Sequence, residues 1–546
     1  MRIIAGKNAV RLIVMTTLIV LVLLRFPDHG LSQQSSIPTF HELLLPPCTY
    51  PGLAESIAGI RVGELVFRGL YGYDRQNRLA GVLAADPAIF PEEPQASYTI
   101  RLKPGMYWPA NDGSASNVPV TAADVKFTFD ALSGSGNVPF GLDRFEQKIK
   151  RINVIDDRTI EFTFASADPF VRRIFRTPIL PAHLLRQSQL TRNNPFFERP
   201  VGTGPFTLTQ YDKLERRLEL RRNGAYAGNQ PQLHELRIQE ITYPETAFNE
   251  LTLESIHFMP EVPPNQAAYL RNQIVTGSPF SARSYNTAKI DFIALNTKNP
   301  HLRKTQVRQA ISHVANRVRW NQSTFTDAVP ISGPIAPTSP YYNKSIRPRG
   351  FDPNAARDLL AAAGYTIGEQ GGSRQLMYQG KPVEKMYLID NREFSIHSVC
   401  LDFSETLLRE IGLRVEVVSG RDQGEYESRV LGRRDFDMAY MTMDMQDYTD
   451  LAPLFDSRYC AGNGLNFIQY TSPRLDDLFE QHRTASSVEQ AHQIYFKIHE
   501  HLAEECPYVY LWSRTNFAAW NTRVLPTVDL WSGNVYGGIE YWRRGN

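Results

Sequence analysis

The most apolar segment of the chain is an uninterrupted run over residues 12–24, in which threonine is the only polar residue type. It follows three basic residues, Arg2, Lys7 and Arg11. As a helix this run rises only about 20 Å, which is short of the roughly 30 Å hydrocarbon core of a bilayer. The segment therefore predicts a signal peptide over residues 1–32 that is cleaved before Gln33. Arg25, directly after the run, leaves an uncleaved membrane anchor as the alternative.

Beyond residue 32, strand-like and helix-like patterns of apolar residues succeed one another along the whole chain. This succession favours an α/β (mixed α+β) fold. One helix is predicted behind Thr121, the expected N-cap, with Asp124 as its capping-box partner. Its apolar residues share one face: Val125, Phe129 and Leu132. Residues 65–73 also read as a helix, which would end in a glycine-rich turn.

A glycine-rich block, Pro200–Phe206, predicts a sharp turn because glycine adopts unusual backbone angles at little steric cost. A phosphate-binding loop would open a helix at this point. Instead, residues 206–211 alternate between apolar and polar side chains, and residues 218–220 alternate again after a short turn. The pattern predicts a strand hairpin and excludes the nucleotide-binding interpretation.

Charge and cysteine content narrow the choice of partners. The full sequence of 546 residues has 59 Lys and Arg against 57 Asp and Glu, and removal of residues 1–32 leaves 55 against 56, a net charge of −1. A nearly neutral surface argues against nucleic acid as a partner. In an oxidising compartment the four cysteines could form up to two disulfides, with three pairings open: Cys48, Cys400, Cys460 and Cys506.

No pattern in the sequence indicates an enzyme, a metal site or a cofactor. His492, His499 and His501 lie on one predicted helix, but their spacing is not that of an HExxH zinc motif. We interpret them as part of a solvated helix face. The sequence also contains no GxSxG nucleophile motif.

Several blocks, taken in chain order, resemble one known family. Their sequences are TPILPAHL at 177–184, PVGTGPF at 200–206, VRQAI at 307–311, GPIAP at 333–337 and FDPNAARDLL at 351–360. Together they are similar to segments of the family 5 extracellular solute-binding proteins, the oligopeptide, dipeptide and nickel receptors of ABC importers. The resemblance spans roughly residues 45–530.

The resemblance implies a two-lobe periplasmic-binding-protein (Venus-flytrap) fold with an additional subdomain. Lobe I would comprise residues 40–76, 200–285 and 516–546, the extra subdomain residues 77–199, and lobe II residues 286–515. The protein would be a monomer that closes on its ligand in the cleft between the lobes.

The resemblance also implies a set of ligand-contacting residues. Asp444 falls where peptide-binding members carry an aspartate for the ligand's ammonium group, with Asp447 and Asp450 as alternatives. Met441 stands at the position of a tryptophan that is usual in the family. Arg392 would bind the peptide carboxylate, and further contacts are expected from His397, Tyr341 and Tyr342.

The expected function is that of an extracytoplasmic receptor that captures a small solute, and the expected solute is a short peptide. Its partners would be this ligand and the permease subunits of an ABC transporter. Alternatives that stay open are a membrane-anchored ligand sensor of the same fold and a receptor for nickel, an opine or an oligosaccharide.

Overall fold

The alternating segments of the chain form the strands of a computed structural model, which describes residues 37–545 with gaps. The gaps are 47, 54–55, 74–78, 86–94, 135–148, 166, 168–170, 186–189, 192, 264–265, 268, 271–278, 323–327, 392–393, 446–449, 463, 527–529 and 531–533. The strands are β1 Thr39–Glu42, β2 Tyr71–Tyr73, β3 Leu79–Gly81, β4 Ser97–Arg101, β5 Ile149–Asp156, β6 Thr159–Phe164, β7 Phe206–Asp212, β8 Arg217–Arg222, β9 Glu235–Glu240, β10 Phe258–Met259, β11 Phe280–Leu295, β12 Val329–Pro330, β13 Tyr365–Gln370, β14 Ser373–Tyr378, β15 Lys381–Pro382, β16 Met386–Asp390, β17 Val415–Ser419, β18 Met438–Asp444, β19 Tyr508–Asn521, β20 Val524–Leu525 and β21 Arg543–Arg544.

The α-helices lie between these strands, as the alternation of patterns predicts. They are α1 Ile57–Val66, α2 Ala122–Gly134, α3 Ala182–Leu185, α4 Pro244–Thr252, α5 Thr305–His313, α6 Arg317–Trp320, α7 Pro353–Ala362, α8 Phe394–Ile411, α9 Gln423–Glu427, α10 Ala452–Phe455, α11 Pro473–Arg483 and α12 Val488–Glu505. The α/β fold class is confirmed. Within the described residues, no helix is both long enough and apolar enough to cross a membrane.

The largest sheet among the described residues has 11 strands, in the order β17, β16, β18, β11, β19, β10, β1, β9, β8 and β7, with β12 paired to β19. Strands β11 and β19 are far longer than their neighbours, and their antiparallel pairing lies in the middle of the sheet. On one side β18 pairs with β11, and on the other β10 pairs with β19. The two long strands therefore join two groups of shorter strands.

The ladder between the two long strands is interrupted where these groups meet. Asn286 pairs with Thr515, but the next pair is Ile290 with Ser513, so residues 287–289 leave the regular register. Side chains replace the missing ladder bonds: Thr287 Oγ1 donates to the Arg514 carbonyl oxygen at 2.7 Å, and Ser513 Oγ donates to the Thr287 carbonyl oxygen at 3.1 Å. Such irregularities bend a strand and re-aim its side chains.

The two faces of this sheet bury different sets of residues. Alternate residues of β16, β18 and β11 pack against the face that carries α5, α7 and α8, which we call the α8 face; they are Met386, Leu388, Met438, Tyr440, Ile293 and Leu295. The intervening residues pack on the opposite face, with α11 and α12; they are Ile389, Ala439, Met441, Ile290, Phe292 and Ala294. Strand periodicity thus decides which side chains can meet.

Local capping signals in the sequence are confirmed. The α2 helix begins directly after Thr121, whose backbone N–H donates to the Asp124 carboxylate at 2.8 Å. Asp352 caps α7 by accepting from the backbone N–H groups of Asn354 and Ala355, both at 3.0 Å. The predicted hairpin is also present, as β7 and β8.

The helix predicted over residues 65–73 is wrong. The α1 helix begins after Ser56, whose side chain accepts from the Gly59 N–H at 3.1 Å, and it ends at Val66. Phe67 is already extended, and residues 71–73 form β2. The cause is that buried apolar residues continue after the helix ends, because Phe67, Leu70 and Tyr71 are buried in the extended segment as well.

The glycines of the Pro200–Phe206 block have a role that differs from the predicted one. Neither Gly202 nor Gly204 has a positive φ angle. A Cβ atom on Gly202 would collide with the Val66 carbonyl oxygen, and one on Gly204 would crowd Leu65 and Val66. The Gly204 N–H donates to the Val66 carbonyl oxygen at 2.7 Å. These glycines therefore allow the chain to pass directly against the end of α1.

Two further predictions concern the domain boundaries and the cysteines. The lobe and subdomain boundaries stay a prediction, because residues 38–546 group as one compact unit. Among the described residues, no disulfide involves Cys400, Cys460 or Cys506. Cys400 and Cys506 are buried, and burial raises the pKa of both thiols.

Candidate functional site

Three parallel strands of the sheet end at the same edge. Strand β16 runs parallel to both β17 and β18, and these strands end at Asp390, Ser419 and Asp444. In α/β sheets, ligands bind where the carboxyl ends of parallel strands meet. We therefore take this edge, on the α8 face, as the candidate site.

Asp444 is the last residue of β18 and its side chain is exposed. It lies on the same face as Tyr440 and Met438, which belong to the core beneath α8. Of the two alternatives, Asp447 lies outside the described residues, and Asp450 Oδ1 accepts from the Ala452 N–H at 3.1 Å at the start of α10. Asp450 therefore serves a local turn.

His397 lies in the first turn of α8 and is held by the end of β16. Its Nδ1 is 2.7 Å from the Asp390 carboxylate and 3.3 Å from the Ser419 hydroxyl. The Asp390 side chain is completely buried, whereas that of His397 is 38% exposed. A carboxylate acceptor at Nδ1 places the proton there and leaves Nε2 for another partner. Arg392 lies outside the described residues.

The remaining predicted contacts lie on the opposite face. Met441 is buried there, because successive residues of a strand point to opposite sides. Tyr341 packs edge-on against His492 and Tyr495, with ring centroids 4.5 and 5.0 Å apart. Tyr342 packs against His499, 4.9 Å between centroids.

The structure thus separates the predicted residues into two sets. Asp444 and His397 share the α8 face at the strand ends, whereas Met441, Tyr341 and Tyr342 share one hydrophobic cluster on the other face. A ligand-contacting role for each of them stays a prediction.

A polar cluster next to Asp444 was not foreseen from the sequence. The carboxylate of Asp291 in β11 is completely buried and accepts four hydrogen bonds. Arg514 Nε and Nη2 donate to it at 2.6 and 2.9 Å, Trp512 Nε1 at 2.7 Å and Thr442 Oγ1 at 2.5 Å. Arg514 Nη2 also lies 2.9 Å from Thr442 Oγ1. We call these four residues the Asp291 cluster.

A series of charged side chains leads to the same edge from the group of strands that contains β1 and β10. Arg61 of α1 contacts the carboxylate of Glu261, and its Nη1 lies 3.7 Å from Glu42. Lys289 of β11 places its Nζ 3.7 Å from the Glu261 carboxylate. Burial raises the pKa of Glu42, although Arg61 and Tyr536 act against it. Burial alone would raise the pKa of Glu261 too, but Lys289 and Arg61 outweigh it and lower that pKa to about 2.

One sequence signal could have revealed the Asp291 cluster. Asp291 interrupts the apolar end of β11, residues 290–295, and a charge at such a position requires a partner. Which partner it takes could not be read, because Arg514 is 223 residues away. Among the described residues, no group of three or more His, Cys, Asp or Glu side chains could hold a metal ion.

Comparisons with known proteins agree with this architecture. The family model described as bacterial extracellular solute-binding proteins, family 5 Middle, matches residues 49–466. The glutathione-binding protein GsiB of Pectobacterium atrosepticum is 24% identical over 463 residues, which cover 82% of this chain and 83% of that protein. GsiB of Escherichia coli K12 is also 24% identical, over 465 residues, with 82% and 83% covered.

Solved structures share the fold. The chain superimposes on NikZ from Campylobacter jejuni, in complex with Ni(L-His), with a TM-score of 0.77 at 20% identity, covering 93% of this chain and 99% of that one. AppA from Bacillus subtilis, in complex with a nonapeptide, gives 0.74 at 21% identity, with 93% and 99% covered. DppA from Helicobacter pylori, in complex with the peptide STSA, gives 0.73 at 20% identity, with 93% and 98% covered.

Proposed function

The chain belongs to the family 5 bacterial extracellular solute-binding proteins, and we propose that it captures a short peptide by its free amino terminus. In this proposal a monomer binds the peptide reversibly, without making or breaking a bond, and delivers it to the permease of an ABC transporter. Similar proteins support the ligand class: one relative is named for glutathione, a peptide, and two solved structures contain peptides. Export would depend on residues 1–32, which lie outside the described residues.

The observation that carries the proposal is the position of Asp444. Its exposed carboxylate stands at the carboxyl end of β18, at the edge where parallel strands end. A carboxylate there can accept charge-assisted hydrogen bonds from an ammonium group, which are about twice as strong as neutral ones. Lysine side chains of a ligand offer the same group, so the test must vary the peptide's amino terminus alone.

Binding would be coupled to closure of the two predicted lobes. The ligand shifts the population only if it binds the closed state more tightly than the open state. The two long strands β11 and β19 join the two groups of strands, and the ladder between them is interrupted at residues 287–289. That interruption is where we expect the bending to occur.

The test measures the dissociation constants of alanine peptides of two to five residues and of glutathione, each with and without N-acetylation. We expect at least one free peptide to bind and its acetylated form to bind much more weakly. Asp444→Asn should weaken the free peptide roughly 10- to 100-fold, the loss of one charge-assisted contact. The acetylated form should change little.

Asp477→Asn is the matched control, because Asp477 is an exposed aspartate on α11 whose carboxylate accepts a hydrogen bond from Gln481, one turn later. It should leave both affinities unchanged. If none of these peptides binds, or if Asp444→Asn weakens free and acetylated peptides equally, the proposal is wrong.

A second candidate ligand is a metal chelate, and the geometry of His397 favours it. Its Nδ1 is fixed by Asp390, which is the usual arrangement behind a metal-binding Nε2. Because the described residues contain no cluster of metal ligands, the metal would have to arrive with ligands of its own. Nickel with and without L-histidine separates this candidate from the peptide. His397→Gln should abolish chelate binding and leave peptide binding unchanged, whereas Asp444→Asn should weaken the free peptide roughly 10- to 100-fold and leave chelate binding unchanged.

A further inference from the structure

Lys289 and Asp444 lie directly opposite each other on neighbouring antiparallel strands. The register pairs Lys289 of β11 with Asp444 of β18, so both side chains project from the same face. Directly opposed residues have Cβ atoms about 4.5–5.5 Å apart. The flexible four-carbon stem of lysine covers that distance, so the Lys289 ammonium can reach the Asp444 carboxylate.

In this structure the ammonium is directed to a different carboxylate. Lys289 Nζ lies 3.7 Å from Glu261 Oε1, and the two side chains are 23% and 31% exposed. Glu261 is itself anchored, because it contacts Arg61, a side chain only 5% exposed on α1. The low pKa of Glu261, about 2, keeps its carboxylate charged at neutral pH although burial opposes this, because Lys289 and Arg61 stabilise the charge.

We propose that Lys289 is an internal competitor for Asp444, and that Glu261 holds its ammonium away so that a ligand's ammonium can bind there. This inference rests on the proposed function, because it assumes that Asp444 receives an ammonium group. Lys289 carries the same chemical group as a peptide's amino terminus and is tethered beside the same carboxylate. Its affinity for Glu261 then sets how much of the time its ammonium occupies Asp444.

The competition makes ligand affinity depend on residues that do not contact the ligand. A bound peptide must displace any fraction of Lys289 that occupies Asp444, so its apparent affinity falls by that fraction. Glu261 keeps the fraction low, and Arg61 keeps Glu261 in place. A ligand without an ammonium group does not compete with Lys289 and is insensitive to it.

Three variants test this proposal with the tightest-binding free peptide of the series above and its N-acetylated form. Lys289→Met keeps the length of the side chain and removes the charge, and it should tighten the free peptide roughly threefold. Glu261→Gln releases Lys289 and should weaken the free peptide roughly three- to tenfold. In the double variant, Lys289→Met should remove the weakening caused by Glu261→Gln. The acetylated peptide should respond to none of the three.

Lys213→Met is the matched control, because Lys213 is another lysine paired with a glutamate, Glu198 at 2.6 Å, on an exposed part of the surface. It should change neither affinity. Melting temperatures of the unliganded variants establish that each is folded, and if Glu261→Gln does not fold, Lys289→Met alone decides.

Failure of the proposed function and failure of the Lys289 proposal give different results. If the wild-type protein does not distinguish free from acetylated peptides, the proposed function is wrong. If it does distinguish them, but Lys289→Met leaves their affinity ratio unchanged or weakens the free peptide, the competitor role of Lys289 is overturned.

Discussion

Replacement of Asp291 by asparagine perturbs the most connected side chain near the candidate site. Its carboxylate is completely buried, with two donors at each oxygen. Thr442 and Arg514 Nη2 donate to Oδ1, and Trp512 and Arg514 Nε donate to Oδ2. Asparagine has nearly the same shape, so the change tests the charge and the acceptor count with little change in packing.

The expected loss of stability follows from the number of donors whose hydrogen bonds asparagine can still accept. Its single oxygen can accept two hydrogen bonds, best from Trp512 and Arg514 Nε, while its NH₂ group then faces Thr442 and Arg514 Nη2. The Thr442 hydroxyl can turn round and accept, but the guanidinium cannot. The variant therefore loses a charge-assisted hydrogen bond and the compensation of a partly buried charge, which together cost about 3 kcal/mol.

Urea unfolding is the assay. A loss of about 3 kcal/mol should lower the midpoint by roughly 1 M or somewhat less, with an unchanged slope. Asp130→Asn is the control, because Asp130 forms an exposed i,i+4 pair with Lys126 at 2.6 Å, and such pairs contribute less than about 0.5 kcal/mol. A midpoint for Asp291→Asn no lower than that of Asp130→Asn would refute the reasoning.

Two further predictions concern glycine packing and acid stability. Gly202→Ala should cost about 2–3 kcal/mol, because its Cβ would collide with the Val66 carbonyl oxygen, whereas a Cβ on Gly350 meets nothing within 4 Å. Equal urea midpoints for Gly202→Ala and Gly350→Ala would contradict the close approach. Burial lowers the pKa of His499 to about 4 from 6.5, so the unfolded chain takes up a proton that the folded protein does not as pH falls from 6.5 to 4. The stability that the neutral His499 contributes above pH 6.5 is thus progressively lost as the pH falls, by about 3 kcal/mol at pH 4. His499→Gln should therefore flatten the fall in urea midpoint between pH 7 and 4.5. An unchanged fall would exclude His499 as its source.

Local elements of the fold could be predicted because their signals are local. The pairing of Thr121 with Asp124 at the start of α2 and the hairpin of β7 and β8 depend on neighbouring residues only, and both are as expected. The end of α1 could not be placed, because apolar residues continue after Val66 into an extended segment that is equally buried. Apolar periodicity reports burial, and it identifies a helix only where one side of the helix is exposed.

His499 shows that a buried polar residue can be mistaken for an exposed one. A helix rich in glutamate, with Glu504 and Glu505 near its end, suggests a solvated face for His499, but this prediction is wrong, because His499 is completely buried. Its Nδ1 accepts from the Asn343 N–H and its Nε2 donates to the Ser332 hydroxyl, both at 3.1 Å. Those partners lie more than 150 residues earlier in the chain. Only tertiary contacts decide whether such a polar residue is exposed or satisfied inside.

Only part of the candidate site could be anticipated from the sequence. The resemblance to the family singles out Asp444, which in the structure is the last residue of β18, and its role in binding stays a prediction. The strand's own alternation, however, turns Met441 to the opposite face, so two positions that stand close in the sequence cannot be assumed to line one pocket. Arg61 and Glu261 are 200 residues apart, and no pattern links them.

The charges near Asp444 connect the site to the joint between the two groups of strands. Glu261 and Arg61 come from the group that contains β1 and β10, and Asp444 comes from the group that contains β18, while Lys289 lies on β11, which both groups share. Lys289 is also the last residue of the interrupted segment of the ladder, residues 287–289. A bend at that segment would therefore change the distance from Lys289 to Glu261 and to Asp444 together. If Lys289 competes for Asp444, both the binding of an ammonium group and the bending of the long strands change the Lys289–Glu261 ion pair. The two events are therefore coupled, and each must change the free energy of the other by the same amount.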